Sequence, residues 1–235
     1  MRGCACGGDV DGAADCVSGR GAGGGGLGEV GAAGAPGWVS PVVRDKRGPY
    51  PRRVTKRATY ADIEALPEHL TGELIDGDLI VSPRPAVVHA RAQSRLVMSL
   101  GGPFDLGSGG PGGWVILHEQ ELHLGEDVLV PDLSGWRRER MPELPRGVGI
   151  RVAPDWLCEV LSPSTERVDR SRKLAVYARE RVGHVWLVNP VTETLEILRF
   201  VGDGWRLVAT HAGTDKVRAE PFDAIELDLA TLWQT

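Results

Sequence analysis

A carboxylate set inside an apolar run constrains this chain more than any other feature. The segment is Asp155-Trp156-Leu157-Cys158-Glu159-Val160-Leu161. A short run of this kind reads as a β-strand, and alternation then places Leu157 and Leu161 on the same face as Glu159. The alternative, a strand whose Glu159 faces water, would turn both leucines to water as well. The face is therefore expected to be buried, and Glu159 with it. An unpaired carboxylate in an apolar interior is costly, so Glu159 needs a partner, a proton or a cation. Cys158, on the opposite face, is expected to pack as a small hydrophobe.

Two further segments offer what Glu159 lacks. Ser162-Pro163-Ser164-Thr165 precedes a helix predicted over roughly 166–181, in which Asp169, Lys173 and Tyr177 recur every four residues. They form one stripe. Taken alone, that stripe is an exposed Asp–Lys helical pair worth ~0.2–0.5 kcal/mol. Upstream, Pro131-Asp132 falls near the end of a strand-like run, Val128–Leu133. By itself it is a common strand-to-turn signal. Adjacent strands lie ~4.8 Å apart, so Asp132 and Glu159 on neighbouring strands could share one hard divalent cation through their oxygens. Such a cation polarises a phosphate, lowers the pKa of bound water and helps stabilise a leaving oxygen. A lysine beside it adds fixed positive charge. Together the three side chains fit hydrolysis of a phosphodiester.

The remaining chain divides sharply. Residues 1–40 are mostly Gly and Ala, including Gly23-Gly24-Gly25-Gly26. They hold too few large apolar side chains to offset the entropy of ordering. Residues 44–57 follow as a basic stretch, so 1–54 are assigned to a disordered tail and linker, and 55–235 to one domain. The next Met lies at 98, and a non-Met start nearer the domain would also suit this division. Thr59-Tyr60-Ala61-Asp62 reads as a capped helix start. Glu73–Ile75 and Asp78–Val81 form a hairpin across Asp76-Gly77. A helix over 86–100 stacks Val88, Ala92, Leu96 and Leu100, and a glycine-rich loop covers Gly101 to Gly113. Strands are expected at Trp114–Leu117, Glu121–Leu124, His184–Val188, Thr194–Phe200 and Trp205–Ala209. This order indicates an α/β fold, a mixed sheet flanked by helices.

Charge and motifs exclude several functions. A net charge of −5 over 235 residues argues against a protein that coats nucleic acid, while leaving room for a local basic rim. Arg137-Arg138-Glu139-Arg140 is either such a phosphate contact or a solvated loop. No run approaches the ~18–20 apolar residues of a membrane span, and no secretory apolar core follows Met1, so a cytoplasmic location is expected. Cys4, Cys6, Cys16 and Cys158 make neither a disulfide framework nor a usual zinc pattern. His118-Glu119-Gln120-Glu121-Leu122-His123 places its second His one residue too late for the helical zinc-protease motif, and Gly107–Gly113 lacks the Lys-Ser/Thr of a phosphate-binding loop.

In order, Glu-Leu-Ile-Asp-Gly at 73–77, His89, Val-Pro-Asp at 130–132, Glu-Val-Leu-Ser-Pro-Ser-Thr at 159–165, Asp169…Lys173…Tyr177 and Val-Trp-Leu-Val-Asn-Pro at 185–190 resemble the Uma family of restriction endonucleases. The resemblance runs from about Thr59 to the C-terminus. It implies a restriction-endonuclease-like PD-(D/E)xK fold with Asp132 and Glu159 as ligands of Mg2+ (or Mn2+). It also implies a displaced lysine. The parent motif's lysine position holds Leu161, and Lys173 matches the lysine the family uses instead. Glu73 is either a further acidic ligand or a plain strand-edge charge. His89 is expected to line the cleft, and Asp169 and Tyr177 to orient Lys173. The activity implied is metal-dependent cleavage of nucleic acid, with DNA as the expected substrate and a homodimer as a means of pairing two sites. Two other functions compete: a nuclease-fold protein without catalysis that binds nucleic acid or a partner protein, and a hydrolase of some other phosphoester. Loss of an acid or of the lysine would favour the first, and none is lost.

Overall fold

The computed structural model describes residues 57–234. The tail and linker assigned to 1–54 lie outside the described residues. Thr59 opens helix α1 (Tyr60–Glu64) as expected, its main-chain N–H and hydroxyl both donating to the Asp62 carboxylate at 2.7 and 2.8 Å. Strands β1 (Leu70–Ile75) and β2 (Asp78–Pro83) make the expected hairpin. Its turn needs two left-handed residues, and Asp76 and Gly77 supply φ values of 54° and 84°.

Helix α2 (Val87–Leu100) buries His89, Ala92, Gln93, Leu96 and Leu100. Val88 was expected in this stripe but is exposed. A strict four-residue repeat drifts about 40° per step on a helix of 3.6 residues per turn, so Val88 has rotated off the face that Leu100 buries. The expected loop after α2 also begins differently. Gly101–Asp105 continues the helix as one π-turn and buries Phe104.

The run Val128–Leu133 was expected to be one strand, but it is two. β5 (Asp127–Leu129) joins β1, β2 and β4 (Leu122–Leu124) in a four-stranded sheet, whereas β6 (Leu133–Arg137) belongs to a six-stranded one. Pro131, with no N–H to give a ladder, sits at the break. The larger sheet also holds β3 (Trp114–His118), β7 (Trp156–Val160), β8 (His184–Asn189), β9 (Thr194–Val201) and β10 (Gly204–Ala212). Its order is β10-β9-β8-β7-β6-β3, parallel at β7/β8 and antiparallel elsewhere. A short pair, β11 (Lys216–Val217) and β12 (Leu227–Asp228), and helix α5 (Ala230–Trp233) follow.

Alternation along β7 sorts the core. Trp156, Cys158 and Val160 pack toward Ala92, Leu96 and Leu100 of α2 and toward Phe222 and Leu232. Leu157 and Leu161 pack on the other side, with Ile75, Leu124 and Leu129 of the small sheet and with Val176 and Tyr177. Glu159 therefore points into the second layer. There the predicted helix lies as three continuous pieces: α3 (Glu166–Val168), a π-helical turn over Asp169–Lys173, and α4 (Leu174–Arg179). Among the described residues, no helix is long and apolar enough to cross a membrane.

Candidate active site

The residues singled out in the sequence come from five places in the fold and meet at one end of β7. Glu73 comes from β1, His89 from the first turn of α2, and Asp132 from the link just ahead of β6. Glu159 sits in β7, and Asp169, Lys173 and Tyr177 come from the helix behind it. Asp132 is therefore not at the end of a strand running from Val128. It stands one residue before β6, whose Leu133 pairs with Cys158. That register sets Asp132 beside Glu159, and its Oδ2 accepts the Val160 N–H at 2.7 Å.

Lys173 is 5 % exposed and Glu159 2 %, so the stripe is not the exposed helical pair that it suggests when taken alone. The lysine ammonium lies 3.0 Å from Glu73 Oε1, 3.4 Å from Glu159 Oε1 and 3.2 Å from Asp169 Oδ1. A π-turn widens the helix locally, and such turns gather at functional sites. Here it carries Asp169 and Lys173 at its two ends, facing one point. Tyr177 donates its hydroxyl to Glu159 Oε1 at 2.5 Å, and the Val130 N–H donates to Glu73 Oε1 at 2.8 Å. Glu73 is thus a buried partner of Lys173 rather than a strand-edge charge. His89 Nε2 stands 3.3 Å from Asp132 Oδ1.

Four carboxylates, Glu73, Asp132, Glu159 and Asp169, surround one ammonium and one imidazole. The imbalance shows in the acid–base behaviour. Burial pushes the Glu159 carboxyl well above the ordinary glutamate range, although Lys173 pulls it down. Asp169 is raised for the same reason against the same opposition. Burial would lower Lys173, but Glu159, Glu73 and Asp169 outweigh it and hold the ammonium charged well beyond the ordinary range. Burial likewise lowers His89, and its hydrogen bond to Asp132 reverses the sign, leaving it raised. A buried site with this excess of carboxylate takes up protons, or another cation.

The donors are hard oxygens, the kind that Mg2+ and Mn2+ prefer. Among the described residues, no three His, Cys, Asp or Glu side chains form a ready-made metal cage. Mg2+ usually keeps several waters and takes only one or two carboxylates plus substrate phosphate. Asp132 and Glu159 fit that pattern. Both line a cavity of about 670 Å³ with Glu73, His89, Asp169 and Lys173.

Two residues of this neighbourhood were not singled out for it in the sequence. Glu119, at the turn after β3, also lines the cavity, and buried Gln93 donates to it at 3.2 Å. In the sequence, 118–123 offers a near-miss to a zinc motif and the start of a strand, and the two strands that flank its turn agree with rejecting the helical motif. Gln93 had one legible signal, a polar side chain one turn after His89 on an otherwise apolar stripe.

The fold places the chain in the class of restriction-endonuclease-like α/β proteins. Its structure is similar to that of a putative nuclease of the DUF820 group from Anabaena variabilis, with a TM-score of 0.61 at 22 % identity over 75 % of this chain and 97 % of that one. Residues 52–230 match the Uma2 family, described as "Putative restriction endonuclease", and the chain belongs to that family. No curated protein matches the sequence.

Proposed function

We propose that this chain is a Mg2+- or Mn2+-dependent endonuclease that hydrolyses phosphodiester bonds in DNA. The observation that carries the proposal is the excess of buried carboxylate around Lys173 at the mouth-facing end of β7. An anionic phosphate cannot enter such a cavity until its charge is offset. Asp132 and Glu159 would hold the metal, which supplies Lewis acidity toward a phosphate oxygen and makes a water nucleophilic near neutral pH.

The chain's own groups do the rest. Lys173, held charged, offers a fixed cation where negative charge grows in the transition state. Asp169 and Glu73 orient its ammonium from two sides. Tyr177 fixes the Glu159 carboxylate through Oε1. Arg84, exposed and lining the cavity, would meet a backbone phosphate. Membership of the family supports nucleic acid as the substrate. A homodimer would bring two such cavities to the two strands of a duplex.

Supercoiled plasmid incubated with the purified chain and Mg2+, Mn2+ or EDTA tests the proposal. Nicked or linear product with either metal and none with EDTA is expected. Absence of cleavage with both metals, or equal cleavage in EDTA, would rule it out.

A further inference from the structure

The buried stripe of α2 changes character along its length. Ala92, Leu96 and Leu100 are apolar, but His89 and Gln93 lead the stripe and are buried too. A buried amide is costly unless its donors are bonded. Gln93 Nε2 lies 3.1 Å from the main-chain oxygen of Asp132 and 3.2 Å from Glu119 Oε1. Both partners are acceptors, so the amide must turn its NH2 group toward them, one N–H for each.

The location explains why this bond matters. The β3–β6 ladder ends at the His118/Leu133 pair. At Glu119 the chain turns away with a φ of 48°, so regular pairing cannot continue past Asp132. The Glu119 N–H still reaches the Asp132 carbonyl at 3.0 Å, and Gln93 supplies a second donor. Two donors occupy the two lone pairs of one carbonyl. That fixes the peptide after Asp132 and, with it, the direction of the Cα–Cβ bond. Farther out, the Val160 N–H holds Oδ2 and His89 faces Oδ1.

We propose that Gln93 is a positioning residue. Acting through the main chain of Asp132, it sets where that carboxylate meets the cavity and ties Glu119 to the same point. The catalytic consequence rests on Asp132 being the metal ligand proposed above, while the positioning is a property of these hydrogen bonds alone.

Amide hydrogen exchange on the metal-free full-length chain, paired with Mn2+ calorimetry, tests this. Gln93→Met keeps the volume and removes both donors. It is expected to speed exchange of the Glu119 and Val160 amides by about tenfold relative to the Leu157 amide of the same sheet, and to weaken Mn2+ binding by ~10-fold or more. Gln93→Asn, one methylene short of its acceptors, gives the same pattern. Leu96→Ala, which removes only packing from the same stripe, lowers the thermal midpoint without that selectivity and without changing Mn2+ affinity. Unchanged protection of both amides in the Gln93 variants, or the same selective loss in Leu96→Ala, would overturn the proposal. If wild type bound no Mn2+, the nuclease reading would fall while the exchange data still judged the clamp.

Discussion

The two ends of strand β6 are both lined with charge, and they handle it in opposite ways. At its C-terminal end, Arg137 lies over the Trp114 ring at 4.2 Å, Arg138 pairs with Asp105 at 2.9 Å, and Arg140 pairs with Asp155 at 2.7 Å. The two ion pairs are electrically matched and partly open to water, and Arg137 rests its charge on a neutral ring. Roughly 16 Å away along the strand, Asp132 opens onto a buried group in which four carboxylates share one ammonium and one imidazole. Matched exposed pairs contribute little and ask for nothing more. Unmatched buried charge destabilises the fold unless something arrives to neutralise it. The first end holds a loop in place, and the second carries the charge that the proposed cation would offset. In the Arg137–Arg140 segment, Arg138 and Arg140 are thus tied to acidic partners of the same domain.

The comparison can be broken most easily at Lys173. Removing it leaves Glu73, Glu159 and Asp169 without their cation. Lys173→Ala is expected to cut single-turnover plasmid cleavage by ~10²-fold or more. It should also lower the metal-free thermal midpoint by on the order of 10 °C. Mn2+ should bind this variant more tightly than wild type, since it answers a larger charge deficit. Wild-type cleavage by Lys173→Ala would remove the lysine from the mechanism. Arg172 is a poor control for this experiment, because it donates to the Ile75 carbonyl and pairs with Asp78 at 3.1 Å, tying the β1–β2 turn to the helix. Exposed Arg167 is the better one.

A second test uses pH. Glu159 and Asp169 are raised chiefly by burial, and His89 is raised by Asp132 despite burial. The folded chain therefore binds more protons than the unfolded chain. The raised acids make stability fall as pH climbs above the ordinary carboxylate range, and His89 adds a contribution present below its unfolded pKa that is lost as pH passes its folded one. Scanning calorimetry in EDTA should show the midpoint falling between about pH 5 and pH 8, by a few degrees per pH unit. Mn2+ should recover most at the high end, where its ligands are deprotonated. A midpoint that rises across this window would contradict the charge balance described.

Smaller effects sharpen the contrast. Arg84→Ala should weaken DNA binding by about fivefold or less and reduce the salt slope by about one, with the metal-saturated rate little changed. An unchanged salt slope would take Arg84 off the phosphate path. Arg140→Ala, at the matched end, should cost only ~0.2–1 kcal/mol and leave cleavage alone. A large loss of cleavage in that variant would mean that the two ends are not as distinct as their geometry indicates.

Much of this arrangement was legible in the sequence wherever one local rule decided it. Asp76-Gly77 demanded its tight turn, Thr59 its capped helix, and Leu157 and Leu161 the burial of Glu159. The misreadings came where tertiary context decided. Val128–Leu133 is uniformly strand-like, yet it divides between two sheets at Pro131. Gly101–Asp105 looks like a loop, but buried Phe104 keeps it helical as a π-turn. The Asp169/Lys173 stripe is the same whether its face meets water or protein, so periodicity could not reveal a buried lysine. Gln93 acts through a main-chain carbonyl in the link before β6, and no spacing rule connects the two.

The central claim is that Asp132 and Glu159 form a cation site whose charge Lys173 alone does not balance, and calorimetric titration of metal-free protein with Mn2+ measures it directly. Wild type is expected to bind, and Asp132→Asn and Glu159→Gln each to lose binding by at least about tenfold. Both metal-free variants should be as stable as wild type or more so, because each relieves like-charge repulsion. Mn2+ binding of wild-type strength in both variants, or no binding by wild type, would contradict the account.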